Sequence, residues 1–163
     1  MGIFIKLEIV PDKISLDSWH STYKEAVKLI QAYPFLDIVS QDLDNCSWNY
    51  ADTPTETPIQ YCQNNIGFRL FGDLITMHTA KSFELIKDLN YYREPQSEHK
   101  CKDILQLYTD NLQGIKTVFN DKTQGYDYHQ YILAIACLLE NRLQPYALVL
   151  GDISKGQMEA AVE

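Results

Sequence analysis

Two hydrophobic periods follow each other at the start of the chain, and this succession is the feature that most constrains its fold. The segment GIFIKLEIV, residues 2–10, carries an aliphatic side chain at every second position, which is the period of a strand with one buried face. Pro11 ends this strand. Ser15 can then cap a helix in which apolar side chains recur at steps of three or four. They are Trp19, Tyr23, Ala26, Val27 and Ile30. A strand followed by an amphipathic helix predicts an α/β or α+β fold.

Later segments continue this alternation. Short apolar runs predict strands at FLDIV, GFRLF and GIKTVF, and the uninterrupted run YALVL, residues 146–150, predicts a strand buried on both faces. Helical spacing predicts helices from about Thr79 to Tyr92, from about Tyr128 to Arg142, and around Met158 at the end of the chain. We therefore predict a single domain over residues 1–163, with a mixed sheet of about four to five strands packed with about four helices. The last helix stops in mid-period, which is typical of a piece of a longer protein or of a frayed terminus.

Composition limits the class of protein. A chain of 163 residues with 45% apolar and 22% charged residues can bury a core without disulfides or a metal. We therefore expect its four cysteines to be reduced thiols in a cytoplasmic protein. The longest apolar run, YILAIACLLE, is about half of the roughly 20 residues that cross a bilayer, and no secretory signal pattern is visible, so we expect no membrane association. A net charge of −8 argues against binding to nucleic acid.

Familiar catalytic and metal motifs are missing from the sequence. No histidine lies three to five residues from another histidine or from a cysteine, so the spacing of zinc ligands is absent. The segment GDISKG, residues 151–156, has the glycines, serine and lysine of a phosphate site, but its lysine precedes the second glycine and Asp152 would repel a phosphate. No Gly-x-Ser-x-Gly segment indicates a serine hydrolase. We expect no cofactor and no metal.

A Gly-Asp step follows two of the apolar runs, at Gly72-Asp73 and at Gly151-Asp152. Glycine permits a sharp reversal and aspartate accepts hydrogen bonds from turn amides, so one interpretation is structural. Ligands of open α/β sheets bind beyond the carboxyl ends of strands, where both aspartates would meet if their strands were parallel neighbours. The second interpretation is an enzyme in which Asp73 and Asp152 hold a metal or share acid and base roles, with His129 as a proton-transfer partner.

The segment KTQGYDYHQY, residues 122–131, concentrates titratable side chains before the third predicted helix. Tyr128 and His129 are able to exchange protons with a substrate, and histidine has a suitable pKa near neutrality. The structural alternative is that Asp127 caps the helix while the tyrosines and His129 form an amphipathic shell around its start.

An acidic and aromatic stretch without periodicity separates the second and third predicted strands. We predict a long loop over residues 40–65, and loops of this length are usually functional or mobile. No Lys or Arg occurs between Lys28 and Arg69, while five acids do. A solvated acidic face is one interpretation. The other, which we adopt, is a recognition surface for a basic protein, because acids combined with aromatic anchors suit such docking. The predicted contact residues are Asp42, Asp44, Trp48, Tyr50, Asp52 and Tyr61.

Several segments resemble a family of uncharacterised bacterial proteins: FRLFGD followed by TAKSFEL, then DLNYY, KTQGYDYH, LAIACLLENR and ALVLGDISKGQMEAAVE. The resemblance covers roughly residues 66–163. It implies a bacterial, cytoplasmic origin without implying an activity, and it directs attention to Asp73, Gln124, His129 and Asp152. The acidic, aromatic loop, and not this resemblance, leads to the first function predicted, which is non-enzymatic protein binding; an immunity-type role against a basic toxin fits the composition.

Overall fold

A computed structural model describes residues 3–32, 36–37, 60–63, 65–72, 81–94, 114–126 and 128–162. These residues form seven strands and four α-helices, which confirms the mixed α/β class. In chain order they are β1 (Phe4–Ile9), α1 (Leu16–Ala32), β2 (Leu36–Asp37), β3 (Gln60–Gln63), β4 (Gly67–Gly72), β5 (Phe83–Ile86), α2 (Leu89–Arg93), β6 (Lys116–Lys122), α3 (Tyr128–Arg142), β7 (Ala147–Gly151) and α4 (Lys155–Val162).

The first strand lies at the centre of a three-stranded antiparallel sheet with the order β6-β1-β7. Ile5, Leu7 and Ile9 are buried and the residues between them are half-buried, so the period-two prediction for β1 is confirmed. Leu7 pairs with Phe119 of β6 on one side and with Val149 of β7 on the other. One face of this sheet therefore lies in the core and the other faces outward.

The second sheet has four strands in the order β2-β3-β4-β5. Its β2 and β3 are parallel, and its other pairs are antiparallel, with Phe68 opposite Leu85. The two sheets meet where β5 approaches β6, and there the N–H of Lys81 donates to the carbonyl of Lys122 at 3.1 Å. The sequence predicts a single mixed sheet, whereas the structure divides the strands between two sheets.

The helices join the two sheets into one core. Trp19 of α1 donates its Nε1–H to the carbonyl of Lys87 at 2.9 Å, and the ring of Tyr23 packs against Phe68 of β4 at a centroid distance of 5.8 Å. Helix α3 has the predicted bounds and is buried along most of its length, because it packs against α1, β1, β7 and α4. Its buried side chains belong to the same hydrophobic cluster as those of both sheets.

The helix predicted from about Thr79 to Tyr92 is wrong. Phe83–Ile86 forms β5, and only Leu89–Arg93 is helical. Asp88 separates the two elements, because its carboxylate accepts a hydrogen bond from the N–H of Asn90 at 2.9 Å and so caps α2. Pairing with β4 therefore overrode a spacing that also fitted a helix.

Two further predictions are corrected by the sheets. The strand at residues 146–150 is not buried on both faces, because Leu148 is 51% and Leu150 38% exposed; among the described strands, β7 lies at the edge of its sheet. Part of the stretch predicted as a loop over residues 40–65 is also a strand, β3. Among the helices that the structure describes, none combines the length and the apolar character needed to cross a membrane.

Candidate functional site

The second Gly-Asp step closes the pairing of β7 with β1. The carbonyl oxygen of Phe4 accepts a hydrogen bond from the N–H of Asp152 at 3.1 Å. The same oxygen lies so close to Gly151 that a Cβ atom there would be 2.3 Å from it, and Gly151 has a φ of 149°. Glycine is therefore required at this position for both its backbone angle and its lack of a side chain. The structural interpretation of Gly151-Asp152 has a direct physical basis.

His129 lies in the first turn of α3 and its ring is enclosed. Its side chain is 2% exposed, and its Nδ1 lies 2.7 Å from the hydroxyl oxygen of Thr123, the residue that follows β6. Its Nε2 has no hydrogen-bond partner within the described residues. Burial lowers the pKa of His129, and the carboxylate of Asp152 opposes this by raising it. The structure thus brings His129 near Asp152, the two described candidates of the enzyme hypothesis.

This pair has limited chemical scope. A general acid or base must reach the proton that it transfers, and the His129 side chain is 2% exposed with its Nδ1 against the Thr123 hydroxyl, so its access to a substrate is restricted. Thr123 was not singled out from the sequence. The only signal for it is local: it precedes the turn at Gln124, whose φ is 57°, and Gly125, whose N–H approaches the Thr123 hydroxyl at 3.5 Å.

The two Gly-Asp steps belong to different sheets. β4, which ends at Gly72, has β3 and β5 as neighbours, whereas β7, which ends at Gly151, pairs with β1. The two strands are therefore not parallel neighbours, so the condition under which Asp73 and Asp152 would meet is not fulfilled. Asp73 lies outside the described residues, and the described part of the chain contains no group of three or more His, Cys, Asp or Glu placed to hold a metal ion. The enzyme hypothesis remains a prediction, because only one of its two strand-end carboxylates, that of Asp152, lies in the described residues.

The acidic stretch is attached to the four-stranded sheet at both of its ends. Leu36 and Asp37 of β2 pair in parallel with Gln60 and Tyr61 of β3, so residues 38–59 connect two neighbouring strands. Of the predicted contact residues, only the backbone of Tyr61 lies in the described part. The others, Asp42, Asp44, Trp48, Tyr50 and Asp52, lie outside the described residues.

A groove that the sequence did not indicate lies between α1, α3 and α4. It has a volume of about 770 Å³ and is lined by residues of all three helices, among them Glu25 and Arg142, which form an ion pair at 2.8 Å. Cys137 also lines the groove, with its Sγ 3.2 Å from the Sδ of Met158. Burial and the nearby Glu140 raise the pKa of the Cys137 thiol, whereas an activated nucleophilic cysteine has a lowered pKa.

No protein-family model, curated protein or solved structure matches this chain. The resemblance to a bacterial family over residues 66–163 therefore remains a prediction.

Proposed function

We propose that the protein binds a basic protein partner through the acidic, aromatic segment from Asp42 to Tyr61, in the manner of an immunity protein. The observation that carries this proposal is the charge distribution along the chain. Between Lys28 and Arg69 there are five acidic residues and no basic residue. Such an uninterrupted field attracts a basic partner and speeds its association, and it repels acidic competitors.

The aromatic residues supply the second requirement of a protein interface. Charge alone gives a fast but weak encounter, whereas tight binding needs a few large side chains that become desolvated on contact. Trp48, Tyr50 and Tyr61 lie among the acids and have the amphipathic character of such anchors.

The pairing of β2 with β3 is consistent with a binding segment, residues 38–59, that the sheet holds at both ends. A connection between two neighbouring parallel strands must return from one end of the sheet to the other, and here it has 22 residues, 38–59, in which to do so. Paired strands on both sides suit a recognition segment, because binding residues are commonly carried on connections that a scaffold positions.

Charge reversal tests the proposal. A variant with Asp42→Lys, Asp44→Lys and Asp52→Lys is compared with wild type in affinity capture from the native host, at low and at high salt. If each site contributes on the order of 1 kcal/mol, the variant should lose about 100-fold in affinity for the captured partner. Wild-type binding should weaken as salt rises, because the attraction between exposed charges is screened.

The matched control makes the same change of charge elsewhere. Asp12, Glu94 and Glu159 are exposed, and their replacement by lysine leaves the acidic segment intact. This control should retain the partner. Loss of the partner from both triple variants would indicate a dependence on net charge alone, and retention by both would contradict the assignment of the acidic segment. Circular dichroism of each variant establishes that it is folded.

A further inference from the structure

The free edge of β7 is an unusual surface for an acidic protein. Within the described residues β7 has β1 as its only neighbouring strand. The carbonyl of Tyr146 accepts from Val10 at 2.8 Å and the N–H of Asp152 donates to Phe4 at 3.1 Å, so the even-numbered residues turn their backbone groups toward β1. By the alternation of an antiparallel strand, Ala147, Val149 and Gly151 turn theirs to the open edge. Helix α4, which follows β7, packs against α3 and not along this edge.

One backbone donor of that edge is already occupied. The N–H of Val149 donates to Oε1 of Glu140 at 2.9 Å, and Glu140 belongs to α3. Natural proteins commonly protect edge strands with charged side chains or coverings. Within the described residues the protection of this edge is the Glu140 carboxylate on the central donor, and the strand itself carries no charged residue between Leu143 and Asp152.

The side chains beside this edge are apolar and exposed. Tyr146, Leu148 and Leu150 alternate along the strand and so point to the same outer face, where they are 37%, 51% and 38% exposed. The adjacent strand β1 places Glu8 opposite Leu148 and Lys6 opposite Leu150, and these two charged residues form an ion pair with each other. The apolar strip is therefore bordered by a neutral pair, although the whole chain has a net charge of −8.

We infer that this edge pairs with the β7 edge of a second copy of the chain. An antiparallel arrangement with its two-fold axis at Val149 brings Val149 opposite Val149, Ala147 opposite Gly151, and Leu148 opposite Leu150 of the other copy. In this register the outward backbone groups of each strand meet their complements, and the exposed leucines meet each other. The carboxylate of Glu140 leaves Val149, whose N–H then donates to the second copy.

Charge and size are consistent with a second copy as the occupant. Across the joined sheet, Lys6 and Leu150 of one copy lie in one row with Leu148 and Glu8 of the second copy. This row has a positive charge at one end and a negative charge at the other. The row related to it by the two-fold axis has the same arrangement. No like charges face each other across the new strand pair. A contact confined to the five residues of β7 in each copy should bury less than the roughly 1,200–2,000 Å² of a standard stable interface, so we expect a reversible dimer with a dissociation constant of about 1–100 μM. This inference is independent of the acidic segment, because β7 belongs to the other sheet.

Sedimentation velocity over a range of concentrations tests the dimer, using the whole chain. Wild type should shift from monomer to dimer as its concentration rises. Leu148→Lys should weaken association at least about 100-fold, because a lysine would then face an apolar side chain at both symmetry-related positions. Leu16→Lys is the matched control, since Leu16 is also 51% exposed but lies at the start of α1, and it should dimerise like wild type.

A second variant tests the role of Glu140, and a cross-link tests the register. Glu140→Ala frees the N–H of Val149 and should tighten association about tenfold. In the proposed register Leu148 and Leu150 form a non-hydrogen-bonded pair with Cα atoms about 4.5 Å apart, within the range of a disulfide. A mixture of Leu148→Cys and Leu150→Cys chains should therefore oxidise to a cross-linked dimer faster than either chain alone. Wild type that stays monomeric up to its solubility limit, or a dimer that Leu148→Lys leaves unchanged, would overturn the inference.

Discussion

Replacement of Gly151 by alanine should destabilise the protein strongly. The Cβ atom of alanine would lie 2.3 Å from the carbonyl oxygen of Phe4, and it would have to move to at least 3.0 Å, a displacement of about 0.7 Å between β7 and β1. That oxygen also accepts the hydrogen bond of Asp152, so relief of the clash weakens the last bond of the strand pair. The φ of 149° adds to the cost, since residues other than glycine held in such regions cost about 1–3 kcal/mol.

Together these effects predict a loss of about 3 kcal/mol in the free energy of unfolding, or about 6–12 °C in Tm for a chain of this size. Urea denaturation followed by circular dichroism measures it. Gly156→Ala is the control, because nothing lies within 4 Å of a Cβ there and Gly156 is in helix α4. That change should stabilise the protein by about 0.5–1 kcal/mol. A Gly151→Ala variant as stable as wild type would refute the structural explanation of the Gly-Asp step.

Two further predictions concern buried polar groups. Burial lowers the pKa of the His129 ring below its ordinary 6.5. As pH falls, the ring is therefore protonated in the unfolded chain before it is protonated in the folded protein. The stability that the neutral ring contributes is present above about pH 6.5 and is lost below it. His129→Gln should therefore show a smaller loss of unfolding free energy than wild type between about pH 7.5 and pH 5.5; equal slopes in urea titrations would contradict the assignment. Tyr92 is buried and its hydroxyl oxygen accepts from the N–H of Ile86 at 2.9 Å, so Tyr92→Phe should cost about 1–3 kcal/mol in the same assay, and a neutral effect would mean that Ile86 finds another partner.

Strong periodicity over many residues was sufficient to predict the elements that it spans. The alternation in β1 and the spacing in α3 each fit only one kind of element, and each is followed within three residues by a proline, so both elements are predictable from the sequence. Short runs were not sufficient. The segment FELI fits three-residue helical steps and a strand equally, and its pairing with β4, which decides between them, is not visible locally. For the same reason YALVL did not reveal that it lies at an edge.

The candidate site shows the same division. The sequence indicated Asp152 and His129 separately, but their proximity depends on how β7 and the start of α3 meet at one end of the three-stranded sheet. The bond of His129 to Thr123 depends on the turn at Gln124 and Gly125, where two consecutive residues adopt positive φ. The exposed strip at Leu148 and Leu150 depends on which face of the three-stranded sheet packs against the helices, and no local pattern specifies this.

Hydrogen–deuterium exchange with and without the captured partner tests the proposed function most directly. Amides within residues 38–59 should exchange more slowly in the complex, and the open edge of β7 should exchange at the same rate in both samples. Unchanged exchange over residues 38–59, with protection appearing on another surface, would contradict the assignment of the acidic segment as the binding surface.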